Sequence, residues 1–157
     1  MKKVAVYAGT FSPWHAGHAD ILNKALKVFD KVVVAVGENA EKQCYRVGRN
    51  EIPQFSNGCV EIVFFTGLLA DFISKTNSKK EPYVSIIRGL RNGSDLQYEQ
   101  NMQYWNEDLG IEIPIVYFIC DRKLSHYSSS MIKEIGHHVD DRREKPWELN
   151  NTEVDIR

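Results

Sequence analysis

The chain has 157 residues, 20 Lys and Arg against 21 Asp and Glu, and a formal net charge of −1 at pH 7. That length fits one domain able to bury its own core, and the even charge excludes a global attraction to nucleic acid or to an anionic membrane. Cys44, Cys59 and Cys120 are widely spaced with no CxxC, which argues against a disulfide framework and a zinc site and points to a reducing cytoplasm. No apolar run approaches the roughly 18 residues of a membrane span, and the first apolar segment is too short for a signal peptide, so a soluble, non-exported protein is expected.

Val4 to Ala8 reads as a first strand. Gly9-Thr10-Phe11-Ser12-Pro13-Trp14-His15-Ala16-Gly17-His18 follows and opens an amphipathic helix striped by Ile21, Leu22, Ala25, Leu26 and Phe29. A strand, small-residue turn and helix in this order are expected to present backbone N–H groups and the positive helix end to polyphosphate. His15 and His18 would add tunable charge there. An HxGH tetrapeptide alone arises by chance, and the competing reading is a capped turn with a structural histidine; its position between strand and helix favours phosphate binding. The pair has no third ligand nearby, which argues against zinc.

Val32 to Val36, Val60 to Phe65, Val84 to Ile87 and Ile115 to Ile119 are further nearly continuous apolar runs, as expected of strands buried on both faces. Leu68 to Ile73 make a second helical stripe, and Leu96, Met102, Trp105 and Leu109 a weaker third. Strands alternating with helices predict a single-domain α/β fold, a five-stranded parallel sheet with helices on both faces, whose ligands bind outside the carboxyl ends of the strands. Cys44 to Asn57 lacks a clear period and reads as a loop of about a dozen residues, a length common in lids and binding loops.

Other candidate groups fall just after strands. Lys42 lies beyond the second strand, where a solvated loop lysine is the plain alternative. Arg88 and Arg91 flank Gly89, a residue expected to let the backbone approach a ligand while the arginines grip oxyanions. Glu99, on the next helix, reads equally well as part of a solvent-facing turn. Ser128-Ser129-Ser130 offers one helix N-cap plus spare hydroxyls for phosphate. After Gly136 the chain turns polar, so residues 1–136 are expected to form the domain and 137–157 a tail, disordered or docked on a neighbouring subunit.

Together, Tyr7-Ala8-Gly9-Thr10-Phe11 with Gly17-His18, Phe65 to Phe72, Ile87 to Arg91 with Ser94 to Glu99, and Ser128-Ser129-Ser130 with Lys133-Glu134-Ile135 closely resemble bacterial phosphopantetheine adenylyltransferases over about Val4 to Ile135. The resemblance implies a Rossmann-like dinucleotide-binding topology and transfer of AMP from ATP to 4′-phosphopantetheine in coenzyme A synthesis. It implies that His18, Lys42 and Thr10 serve catalysis and that Thr10, Lys42, Leu69 and Arg88 hold the acceptor. ATP would meet Thr10, Phe11, His18, Gly89, Leu90, Arg91, Glu99 and the run Leu124, Ser125, His126, Tyr127, Ser128, Ser129 and Ser130. Mg²⁺ would be carried by ATP phosphates with no protein metal ligand, and the family's assembly is a homohexamer. His15 and Ser12 depart from the family pattern, as do the stretch after Lys42 and the tail. A related transferase for another phosphorylated acceptor, or a nucleotide-binding protein without turnover, are the alternatives. Arg46 and Arg49 in the loop after Lys42 suggest a mobile segment closing over the acceptor.

Overall fold

β-Branched residues crowd the χ1 freedom that a helix requires and pack well on a pleated surface, and the valine-rich runs of this chain become the centre of a sheet. The computed structural model describes residues 2–38, 52–55, 58–77, 81–139 and 144–148. Among them run β1 (Val4–Gly9), α1 (Ala16–Leu26), β2 (Lys31–Glu38), β3 (Val60–Thr66), α2 (Leu69–Asn77), β4 (Tyr83–Leu90), α3 (Gly93–Asp108), β5 (Ile115–Ile119), a 3₁₀ turn (Arg122–Leu124) and α4 (Ser129–Gly136). All five strands pair in parallel in the order β3-β2-β1-β4-β5. The order reverses beside β1, and a crevice opens there at the carboxyl ends of β1 and β4.

Strand alternation divides the core. Ala5 and Tyr7 of β1 and Val32, Val34 and Val36 of β2 face α1, joined by Ile21, Leu22 and Ala25. Val4, Val6, Ala8, Val33 and Ala35 point the other way, to Ala70 and Ile73 of α2 and to Ile111. Each fully buried Val, Leu or Ile contributes roughly 1.5–3 kcal/mol relative to an exposed one, and both faces of β1 and β2 are covered.

Three expectations are corrected. β3 and β5 are the sheet edges and are largely half-buried, with Ile119 at 74 % exposure, because only strands flanked on both sides are shielded on both faces and edges. On α3, Leu96, Trp105 and Leu109 are exposed and Asn106 is buried. This helix turns polar groups inward because they find partners there: Glu99 pairs with Arg88, and Gln103 accepts from the Tyr117 hydroxyl at 3.2 Å. The third correction concerns 144–148, which docks on its own chain: Trp147 is buried, and its carbonyl accepts from the Ala16 N–H at 3.2 Å.

Ile52 and Phe55, between β2 and β3 in the sequence, also reach the core, Ile52 fully buried and Phe55 against Trp14. Of the stretch Cys44 to Asn57 read above as a binding loop, residues 44–51, 56 and 57, with Arg46 and Arg49, lie outside the described residues, as does Lys42.

Candidate active site

β1 delivers its last residues to the crevice, and the chain then bends sharply. Phe11 takes φ +47°, a left-handed backbone costing a non-glycine residue roughly 1–2 kcal/mol. Aromatic packing holds it there. Its ring meets Tyr7 edge-on at 4.9 Å, Trp14 at 5.3 Å and His18 edge-on at 5.0 Å. Gly9 lacks a side chain for a local reason, since a Cβ there would lie 3.0 Å from the Phe11 ring.

His15 caps α1 in a reciprocal arrangement. Its Nδ1 accepts from the Gly17 N–H at 3.1 Å, and its own N–H donates to His18 Nδ1 at 3.2 Å. The two rings stack with centroids 3.7 Å apart. A Cβ on Gly17 would sit 2.9 Å from His15 Cε1, so the glycine of HxGH makes room for the first histidine. Ala16 donates to Trp147, and His18 and Ala19 both donate to the His15 carbonyl. The four N–H groups of the first helical turn are therefore all partnered within the protein, which corrects the expectation that they stand free for phosphate.

The side chain takes over that task. Burial, the neighbouring His15 and the Arg91 charge hold His18 well below the usual histidine range, and burial followed by Arg91 lowers His15 to about 4. Both shifts favour the neutral rings at pH 7. With Nδ1 of His18 occupied as an acceptor, the proton of its neutral ring sits on Nε2, a fixed donor at the cleft wall.

β4 and α3 build a second wall. Arg88 Nη1 donates to the Ala8 carbonyl at 2.7 Å, tying the ends of β4 and β1 together, and Arg88 Nε lies 3.3 Å from Glu99 Oε2. Those two atoms are buried and misaligned for a hydrogen bond, so the pair is held by charge alone and retains unused bonding capacity. Arg91 is bidentate to Asp95, Nε to Oδ2 at 2.8 Å and Nη2 to Oδ1 at 2.9 Å. Gly89 serves helix packing: a Cβ there would lie 2.8 Å from Ile21 Cγ1 of α1. Its backbone also lines the cleft.

The walls enclose a cleft of about 320 Å³ that brings together Thr10, Phe11, His18, Arg88, Gly89, Arg91, Glu99, Tyr127, Ser128, Ser129 and Ser130. Ser128 caps α4 through Met131 N–H, and the Ser129 hydroxyl donates to the Pro13 carbonyl at 3.1 Å, so two of the three serines already have structural partners. Leu90, Leu124, Ser125 and His126 lie outside the lining, and Leu69 packs against the α2-side core. Tyr7, Asp95 and Tyr98, quoted above in the motifs without a role, also line the cleft, as do Ile21 and Cys120, which sequence reasoning did not place in the site. Among the described residues no group of three or more His, Cys, Asp or Glu converges to hold a metal ion.

The cytidylyltransferase-like family model matches residues 6–135. The phosphopantetheine adenylyltransferase of Cytophaga hutchinsonii is 36% identical over 141 residues, covering 86% of this chain and 90% of that protein. That of Pelagibacter ubique is 38% identical over 146 residues, covering 86% and 85%. The chain belongs to the phosphopantetheine adenylyltransferase family. Solved structures agree on the fold: a putative nicotinate-nucleotide adenylyltransferase from Vibrio parahaemolyticus superposes with TM-score 0.56 at 13% identity, over 90% of this chain and 85% of that one. As a phosphopantetheine adenylyltransferase family member the protein is a nucleotidyltransferase, and its cleft suits one. A neutral N–H donor and two guanidinium groups line the same cleft, a set whose chemistry suits phosphate oxygens.

Proposed function

We propose that this chain transfers the AMP moiety of ATP to 4′-phosphopantetheine, giving dephospho-coenzyme A and pyrophosphate. An acceptor phosphate oxygen attacks the α-phosphorus, a P–O bond forms, and the bond to the β-phosphate oxygen breaks as pyrophosphate leaves. Negative charge gathers on the nonbridging oxygens, so catalysis consists of positioning and charge stabilisation. His18 supplies a neutral, oriented Nε2–H to that charge, Thr10 a hydroxyl at the end of β1, and Arg88 a cation for the acceptor phosphate. The family pattern adds Lys42 to this set.

The single observation that carries the reading is that His18 and Arg88 line one cleft at the sheet's reversal point, in a chain of this family. Arg91, Glu99 and Ser128 to Ser130 would meet the nucleotide. Mg²⁺ would enter with ATP, held mainly by phosphate oxygens and water, and would help neutralise the polyphosphate charge; the carboxylates of Asp95 and Glu99 are paired with Arg91 and Arg88. The resemblance further supports a cytoplasmic homohexamer, with residues 1–136 as the transferase domain. No helix among the described residues is long and apolar enough to cross a membrane.

The test is pyrophosphate release with ATP and 4′-phosphopantetheine, run beside other phosphorylated acceptors such as nicotinate mononucleotide. Turnover at least about tenfold faster with 4′-phosphopantetheine is expected. Preference for another acceptor, or none for any, would overturn the assignment.

A further inference from the structure

The turn from Phe11 to His15 has two sides. Toward the cleft, Phe11 and Trp14 pack around His18, with ring centroids 5.0 Å and 5.4 Å away. From behind, it is held by elements that follow the sheet in the sequence. Ser129 of α4 donates to the Pro13 carbonyl at 3.1 Å. Residues 145–148 lie on the other side of a groove whose walls include Pro13, Trp14, Ile132 and Trp147. Trp147 is 8% exposed, and its carbonyl takes the N–H of Ala16, the first residue of α1.

Ala16 is itself 1% exposed. A buried amide with no partner is costly, and most such groups in proteins are therefore bonded. The other three first-turn amides are satisfied by His15, and Ala16 alone depends on a distant segment. If the Trp147 carbonyl withdraws, the amide must be left bare or the first turn must shift toward water. Gly17 and His18 belong to that turn, and the capping bonds that orient the His18 ring move with it.

We infer that Trp147 is a positioning residue for adenylyl transfer: its buried indole anchors a C-terminal strap whose carbonyl fixes the first turn of α1 and thereby aims His18 into the cleft. The inference rests on the reaction proposed above for its kinetic part only. Displacing a catalytic group by about 1 Å can slow a reaction by around a hundredfold, so a loosened turn acts on turnover. Nucleotide affinity, proposed above to rest on Arg91, Glu99 and Ser128 to Ser130 as well as on this turn, depends on it less.

The experiment compares full-length wild type, Trp147→Ala and Trp147→Phe. For Trp147→Ala, kcat should fall at least about tenfold while the ATP dissociation constant measured by calorimetry stays within about twofold. Amide hydrogen exchange at Ala16 should quicken at least about tenfold relative to amides of α2. Trp147→Phe, which keeps an aromatic anchor, should restore most of both. Wild-type exchange at Ala16 in folded Trp147→Ala would overturn the strap, as would a loss of ATP affinity matching the loss of kcat, or a Phe variant as impaired as Ala. Should Trp147→Ala fail to fold, a Phe and Leu series decides: kcat falling in step with Ala16 protection supports the inference, and kcat independent of it refutes it. If wild type does not adenylate 4′-phosphopantetheine, the proposed reaction fails while Ala16 exchange still reports on the strap.

Discussion

The two walls of the cleft are built on opposite principles. The wall from β1 and α1 is neutral and closed on itself: aromatic rings surround His18, both histidines are uncharged, and each first-turn amide has its partner. The wall from β4 and α3 is charged and held in pairs, Arg88 with Glu99 and Arg91 with Asp95. The first is preorganised, so little rearrangement is needed when charge develops in the transition state. In the proposed reaction the second would exchange partners when anions arrive, and it would govern which ligands bind. The difference predicts that damage to the neutral wall appears in turnover and damage to the charged wall in affinity.

The largest effect belongs to the neutral wall. His18→Ala should lower kcat by at least about a hundredfold with little change in ATP affinity, because a donor aimed at transition-state charge acts on the chemical step. Near-normal turnover would remove His18 from the mechanism and abolish the contrast between walls. Arg88→Ala should raise the KM for the phosphate acceptor by about thirtyfold and that for ATP much less, since a lost charge-assisted contact weakens the ligand it held. This variant also frees the Ala8 carbonyl and Glu99, so Arg88→Lys, which keeps the charge and loses the fork, should recover part of the acceptor affinity. Equal losses for both substrates would contradict the assignment.

A smaller effect sharpens the comparison through pH. His15 has a folded-state value of about 4 against roughly 6.5 in an unfolded chain. Between those values the unfolded state binds more protons, so stability is full above about pH 6.5 and declines as pH falls toward 4, by roughly 1.4 kcal/mol per unit for one such group. His18 is shifted the same way and adds to the decline. Melting curves of wild type and His15→Asn at pH 7 and pH 5 should show a smaller acid loss in the variant. Parallel losses would mean that the capping histidine is not held neutral.

The smallest effect lies on the charged wall. Asp95→Asn breaks the Arg91 pair at the cleft rim, where Arg91 is 37% exposed. Exposed pairs contribute only about 0–1 kcal/mol, so urea midpoints should barely move. The released Arg91 should bind ATP as well as or better than before. A marked fall in ATP affinity would show that Asp95, beyond restraining Arg91, is needed to orient it.

Much of this protein was legible before its fold was known. The strands announced themselves because runs such as Val32 to Val36 carry their burial in composition, and the HxGH turn and the Arg88 to Arg91 motif sit in short segments that local order keeps intact. Those signals are local, and residues close in sequence stay close in any fold. The rest was decided by distance. Which face of α3 turns inward depends on Arg88 and Tyr117 meeting it from other strands, and Gly89 is demanded by Ile21 on another element. The Ala16 amide is silenced by Trp147, near the opposite end of the chain. The sequence by itself determined the elements and the residues able to handle phosphate. Only the tertiary structure decided which of their donors, acceptors and charges were already taken, because a polar group's availability depends on partners brought from elsewhere in the chain.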